Sequence, residues 1–246
     1  MPTTFLTAEW RNLLMANYAV EPDILKPYLP YGTELDDFNG TYYASMVGFM
    51  FMHTRVRGFS VPWHRHFEEV NLRFYVRHRD PHHGWRRGVV FVKEIVPRPM
   101  IVAVANTFYG EKYAALPMRH QWRANAEAGT LDVEYGWRVG AEWNHLRATV
   151  EQAVHPIEVG SEAEFITEHY WGYTRRGPQR TDQYEVVHPR WDAHRVLQYD
   201  MHCSVAQLYG AAFVEPLAQA PRSVFMAAGS EARVMGGARI TLDQAT

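Results

Sequence analysis

Only three residues in this chain offer a side-chain amine for covalent chemistry. Of its 25 basic residues, Lys26, Lys93 and Lys112 are lysines and the other 22 are arginines. A lysine amine attacks a carbonyl to give an imine, whereas a guanidinium stays protonated and does not. An arginine-for-lysine bias across a whole chain is ordinary composition, so the scarcity narrows the candidates without proving a function. Lys26 falls in the proline-bounded segment EPDILKPYLP, and Lys93 lies in the apolar run GVVFVKEIV, where a counter-ion is its first need. Lys112 follows Gly110 at the end of the apolar stretch PMIVAVANTFY, the one lysine set where a rigid support carries a side chain to a cavity.

A second group stands upstream. In EVNLRFYVR, Val70, Leu72, Phe74 and Val76 alternate with Glu69, Asn71, Arg73 and Tyr75, the period-two pattern of a strand with two distinct faces. Glu69, Asn71 and Arg73 share one face, each about 6.6 Å beyond the last. Buried together, they make a carboxylate, amide and guanidinium row able to grip a carboxylate-bearing substrate. Lying outward, they are a solvated strand surface; spacing alone leaves both readings open. Of the adjacent pair Lys93 and Glu94, one is expected to point inward and meet an opposite charge.

Other chemistries lack their patterns. The thirteen histidines show no zinc spacing, with no HExxH or CxxC; His64 and His66 share a strand face without a third ligand, and His82 and His83 sit in a polar turn. No metal or cofactor is expected. A GxSxG elbow, a phosphate-binding GxxxxGK[ST] loop and a post-strand GxGxxG are all absent. Cys203, the single cysteine, excludes an internal disulfide and reads as a buried, inert thiol. The arginines 77, 79, 86 and 87 at a hairpin tip read as solvated surface.

These groups need a frame. Hydrophobic residues at 47% with 14% aromatics fill a sizeable core, and a formal charge of -2 offers no field for nucleic acid. No apolar run reaches a membrane span, and the start MPTTFLTAEWRNLL lacks a signal-peptide pattern, so the cytoplasm is the expected compartment. One domain over residues 1–246 is expected. Asn39-Gly40 marks a turn between TELDDF and TYYASMVGFMFMHTRV, read as a β-hairpin. DPHHGWRR turns the strand at Glu69 into a second one over Gly88 to Val96, and LDVEYGWRVG pairs with WNHLRATVEQAV. Pro22 opens a helix of a turn or two, Ser161 and Glu164 form a capping box for a helix through about Tyr170, and Pro99 to Tyr109 is read as a buried helix with a strand as the rival.

The words EEVNLRFYV, RRGVVFVKEIVPR, NTFYGEKYAALPM and VVHPRW resemble the YqjF-like family of bacterial proteins, which sits in the acetoacetate decarboxylase-like superfamily. The resemblance implies a mainly β, α+β fold, an antiparallel sheet closed as a cone or barrel around a cavity with a few short helices, often in a homo-oligomer. In the decarboxylase, a glutamate-bearing strand precedes an apolar run, an aromatic, a glycine and a lysine pair whose first member forms the Schiff base. IVAVANTFYGEKY is similar and sets Lys112 at that place, with Glu69 as the glutamate. Tyr113 replaces the second lysine, so the amine needs burial or an arginine such as Arg73 or Arg119 to become nucleophilic near neutral pH. The expected catalytic pair is Lys112 and Glu69; the expected substrate-binding set is Arg73, Asn71, Glu111, Arg119 and His188. Three readings follow: a lyase acting on a keto acid through a lysine imine, a non-covalent small-molecule binder on the same scaffold, and a structural protein without activity.

Overall fold

The computed structural model describes residues 3–60, 64–104, 106, 110 and 112–240. In chain order the strands are β1 (Thr4–Ala19), β2 (Glu34–Leu35), β3 (Tyr43–Val56), β4 (Phe67–Asp80), β5 (Gly84–Val96), β6 (Tyr113–Ala115) and β7 (Met118–Asn125). They continue as β8 (Thr130–Val139), β9 (Glu142–Pro156), β10 (Trp171–Gly177), β11 (Arg180–Val187), β12 (Asp192–His202), β13 (Ser223–Met235) and β14 (Ala238–Ile240). Short helices interrupt them: α1 (Pro22–Leu25), α2 (Pro99–Val104), α3 (Glu162–Thr167), α4 (Val205–Tyr209) and α5 (Val214–Ala218).

All the strands join one sheet, in the order β14-β11-β10-β5-β4-β3-β1-β13-β12-β9-β8-β7, with β2 on β4 and β6 on β5. A further pairing of β11 with β13, Val186 opposite Val234 and Val187 opposite Arg233, closes β11, β10, β5, β4, β3, β1 and β13 into a ring. Most pairs are antiparallel as expected, but β10 and β6 each run parallel to β5. Bulges bend the long strands into the ring: the register between β1 and β3 slips between Arg11 and Leu14, where Asn12 takes a φ of 51°.

The arm of β12, β9, β8 and β7 covers the ring's outer face, so β4 is buried on both sides. Val70, Leu72, Phe74 and Val76 join a core that includes Val133, Tyr135, Trp137 and Leu146 from the arm. Each of these β4 side chains contributes roughly 1.5–3 kcal/mol by leaving water. The layers meet closely at Gly48, where an added Cβ would stand 2.7 Å from the Tyr135 ring. The opposite face of β4 looks into the ring, whose end is filled by α3 through Phe165, packed on Tyr43 and Tyr75. Beside it, a buried polar chain links Ser45 to Asn17 and to Tyr75 at 2.6 and 2.7 Å.

Local expectations largely hold. Pro22 starts α1, and Ser161 Oγ accepts from the Glu164 amide at 3.2 Å to cap α3. That helix ends at Thr167 rather than Tyr170, because β10 begins at Trp171. Asn39 and Gly40 do make a turn, with φ of 51° and 81°, yet its hairpin is confined to the Phe38–Thr41 bridge. The preceding Glu34–Leu35 pairs with β4 instead, as tertiary contacts override the local turn. Helix α2 is seen over Pro99–Val104; most of the residues after it lie outside those described.

Candidate functional site

A cavity of about 250 Å³ occupies the ring, and each of its strands lends residues to the wall. The period-two pattern of β4 decides its polar side: Val70, Leu72 and Phe74 face the arm, so Glu69, Asn71 and Arg73 face inward. Glu69 is only 2% exposed and Asn71 1%, which removes the solvated-surface reading.

Glu69 is ordered by two donors. Asn71 Nδ2 donates to Oε1 at 2.9 Å and the Tyr113 hydroxyl donates to Oε2 at 3.0 Å. With Nδ2 so committed, Asn71 Oδ1 is a buried acceptor that no hydrogen bond from the described residues satisfies. Arg73, two residues on, reaches the Met15 sulfur at 3.8 Å and the Ile166 carbonyl at 3.4 Å. Among the described residues no carboxylate forms an ion pair with it. Opposite Asn71 on β5, Glu94 is the inward member of the Lys93–Glu94 pair and also lines the cavity.

The rest of the wall is aromatic. Trp10 meets Phe49 and Phe51 edge-on, at 5.6 and 5.9 Å between ring centres, and Phe51 stacks on Phe67 at 4.7 Å. His188, in the loop after β11, stacks on Trp191 at 4.0 Å with Tyr170 at 4.7 Å. Its Nδ1 donates to the Pro189 carbonyl at 2.9 Å. Burial lowers the imidazole's pKa, with that carbonyl pulling the other way. Behind the wall, Asp36 joins Arg87 at 2.7 Å and His169 at 3.1 Å. Burial pushes His169 down to about 4 against the pull of Asp36.

Four of the expected site residues therefore come together: Glu69, Asn71, Arg73 and His188. Two do not. Lys112 is exposed, its Nζ 5.0 Å from the centre of the Tyr28 ring, and it is absent from the cavity wall. Tyr113 takes the inward place, because neighbours on an extended backbone point to opposite sides and β6 docks Tyr113 opposite Glu94. Arg119 belongs to the outer arm, engaged with Glu134 at 3.2 Å and stacked over Trp143 at 4.4 Å, and does not line the cavity. Glu111 lies outside the described residues. Tyr113, Trp10 and Trp191 were not singled out as wall residues, although extending the alternation by one residue past Lys112 signals the first.

No cluster of three or more His, Cys, Asp or Glu among the described residues is placed to hold a metal; His66 instead packs its ring on His53. No described helix is long and apolar enough to cross a membrane. The sequence that folds into this ring, with Glu69, Asn71 and Arg73 of EEVNLRFYV on its inner wall, is matched by a family model over residues 7–231. The chain belongs to the DUF2071 family of uncharacterized conserved proteins. A DUF2071 chain of this kind is 29% identical over 163 residues to the uncharacterized protein YqjF of Bacillus subtilis (strain 168), covering 66% of this chain and 62% of that protein. The match thus spans less than two thirds of the relative's length.

Solved structures share the DUF2071 fold seen here at low identity. An acetoacetate decarboxylase from Legionella pneumophila superposes with a TM-score of 0.64 at 13% identity, over 98% of this chain and 88% of that one. The enduracididine biosynthesis enzyme MppR complexed with pyruvate gives 0.65 at 14%, over 97% and 91%. An acetoacetate decarboxylase-like enzyme from Sphingomonas wittichii RW1 gives 0.66 at 12%, over 96% and 93%. The likeness establishes the cone fold.

Proposed function

We propose that this protein holds a small carboxylate-bearing molecule, mostly apolar or aromatic, in the ring cavity and does so without forming an imine. One observation carries the reading: Arg73 enters an apolar, aromatic wall and has no carboxylate partner among the described residues. A half-buried guanidinium against apolar side chains is stabilised by an anion of matching geometry, and a ligand carboxylate supplies it. Glu69, steadied by Tyr113 and Asn71, stands on the same face as a group able to accept or return a proton. Lys112, turned toward Tyr28, is a bystander to binding.

A second reading keeps the imine at Lys112, and the fold favours it: MppR, of the same architecture, is described in complex with pyruvate. One experiment separates the two. The wild type, Arg73→Met and Lys112→Arg are titrated calorimetrically with aromatic and branched aliphatic acids, then treated with borohydride and short keto acids and weighed. Binding lost in Arg73→Met and kept in Lys112→Arg, with no mass added by reduction, supports the non-covalent site. A reduced adduct on Lys112, absent in Lys112→Arg, establishes the imine and overturns it.

A further inference from the structure

Resting on the carboxylate-binding reading, we infer that His188 is a hydrogen-bond acceptor facing the cavity, and that the ligand is a hydroxy acid whose hydroxyl donates to its Nε2. The ring is fixed before any ligand arrives. Trp191 covers one face at 4.0 Å and an interplanar angle of 13°, Tyr170 packs at 4.7 Å, and Trp191 is itself tied by its Nε1–H to Ser230 Oγ at 2.8 Å. A carbonyl oxygen only accepts, so the Nδ1 contact with Pro189 O requires the proton on Nδ1. The neutral ring then carries its lone pair on Nε2, which has no hydrogen bond within the described residues while His188 lines the cavity. Burial, which disfavours the imidazolium, keeps that lone pair available at neutral pH.

Arg73 and His188 line the same cavity. The two groups make opposite demands of one ligand: an anion for the guanidinium, a donor for the imidazole. Keto acids satisfy the first only, and their carbonyl oxygen would face a lone pair. Acids without a hydroxyl bring Nε2 no donor, and a hydrogen bond left unmade costs affinity. A carboxylic acid with a nearby hydroxyl and an apolar or aromatic body, fitting the Trp10, Phe49 and Phe51 wall, satisfies both.

The test compares three acids on each of two bodies: 3-phenyllactate, 3-phenylpropanoate and phenylpyruvate, and the same series on a 4-methylpentanoate body. Calorimetry on the wild type is expected to rank the hydroxy acid about tenfold or more above both relatives. His188→Phe, which keeps the stack on Trp191 and removes the acceptor, is expected to bring the three affinities together. Using ratios within one variant cancels any general loss of folding. Independently, nitrogen-15 NMR of the wild type is expected to find the His188 proton on Nδ1. Equal affinities in the wild type, a preference that survives in His188→Phe, or a proton on Nε2 would each overturn the assignment while the Arg73 site stands. If none of the six acids binds, the carboxylate-binding reading itself falls, and this one with it.

Discussion

Asp36 is the point where the fold and the cavity wall depend on the same carboxylate, and Asp36→Ala should expose that dependence. The side chain is 4% exposed and accepts from Arg87 Nε at 2.7 Å, with His169 Nε2 at 3.1 Å and Arg77 at 3.8 Å. Removing one partner from a buried ion pair costs about 3–5 kcal/mol, because the other charge stays behind. Arg87 keeps 38% of its side chain exposed and recovers part of its hydration, so the lower end applies, about 3 kcal/mol. At about 2–4 °C per kcal/mol for a chain of this length, Tm should fall by about 6–12 °C. Burial by itself would raise the Asp36 carboxyl, but the hydrogen bonds from His169 and Arg87 hold it below its ordinary value. A folded value below the unfolded one means that the contribution is fully present above about pH 4 and disappears as acid titrates the folded carboxyl. Urea unfolding of both proteins should therefore show a constant gap from pH 7 to 5, narrowing only in stronger acid. The same variant should also weaken ligand binding, since His169 packs on Phe165 at 4.9 Å and the adjacent Ile166 carbonyl receives Arg73. A stability loss under about 0.5 kcal/mol at pH 7 would refute the argument that Asp36 anchors this wall.

Three further outcomes can be measured directly. Gly48→Ala drives a methyl into the Tyr135 ring at 2.7 Å, with Leu146 at 3.2 Å behind it, and should cost about 1–3 kcal/mol in urea unfolding. Ser161→Ala removes the oxygen that caps α3 and should cost about 1 kcal/mol, read as a small Tm shift without loss of the fold. Burial pushes the Cys203 thiol up to about 12, so alkylation by iodoacetamide at pH 7.5 should be slow in the native protein and accelerate on adding denaturant.

Alternation in EVNLRFYVR was enough to place Glu69, Asn71 and Arg73 together on one strand face, because side chains on extended backbone must alternate whatever the fold. Turn and cap chemistry at Asn39-Gly40, Pro22 and Ser161 was legible for the same reason, being local. The cone fold was visible through the resemblance of several short words, since such words record contacts that a single strand cannot reveal. What alternation left open was whether the polar face of β4 met water or an interior. That was decided by the β11–β13 pairing, between residues nearly fifty positions apart, which closes the ring, and by the arm from β7 to β12 that claims the apolar face. Similarity of pattern also put Lys112 forward, whereas the docking of β6 beside β5 turns Tyr113 inward and Lys112 out. A shift of one residue along a strand exchanges its two faces, and register is fixed by pairing with a distant partner, so only the tertiary structure could choose between them.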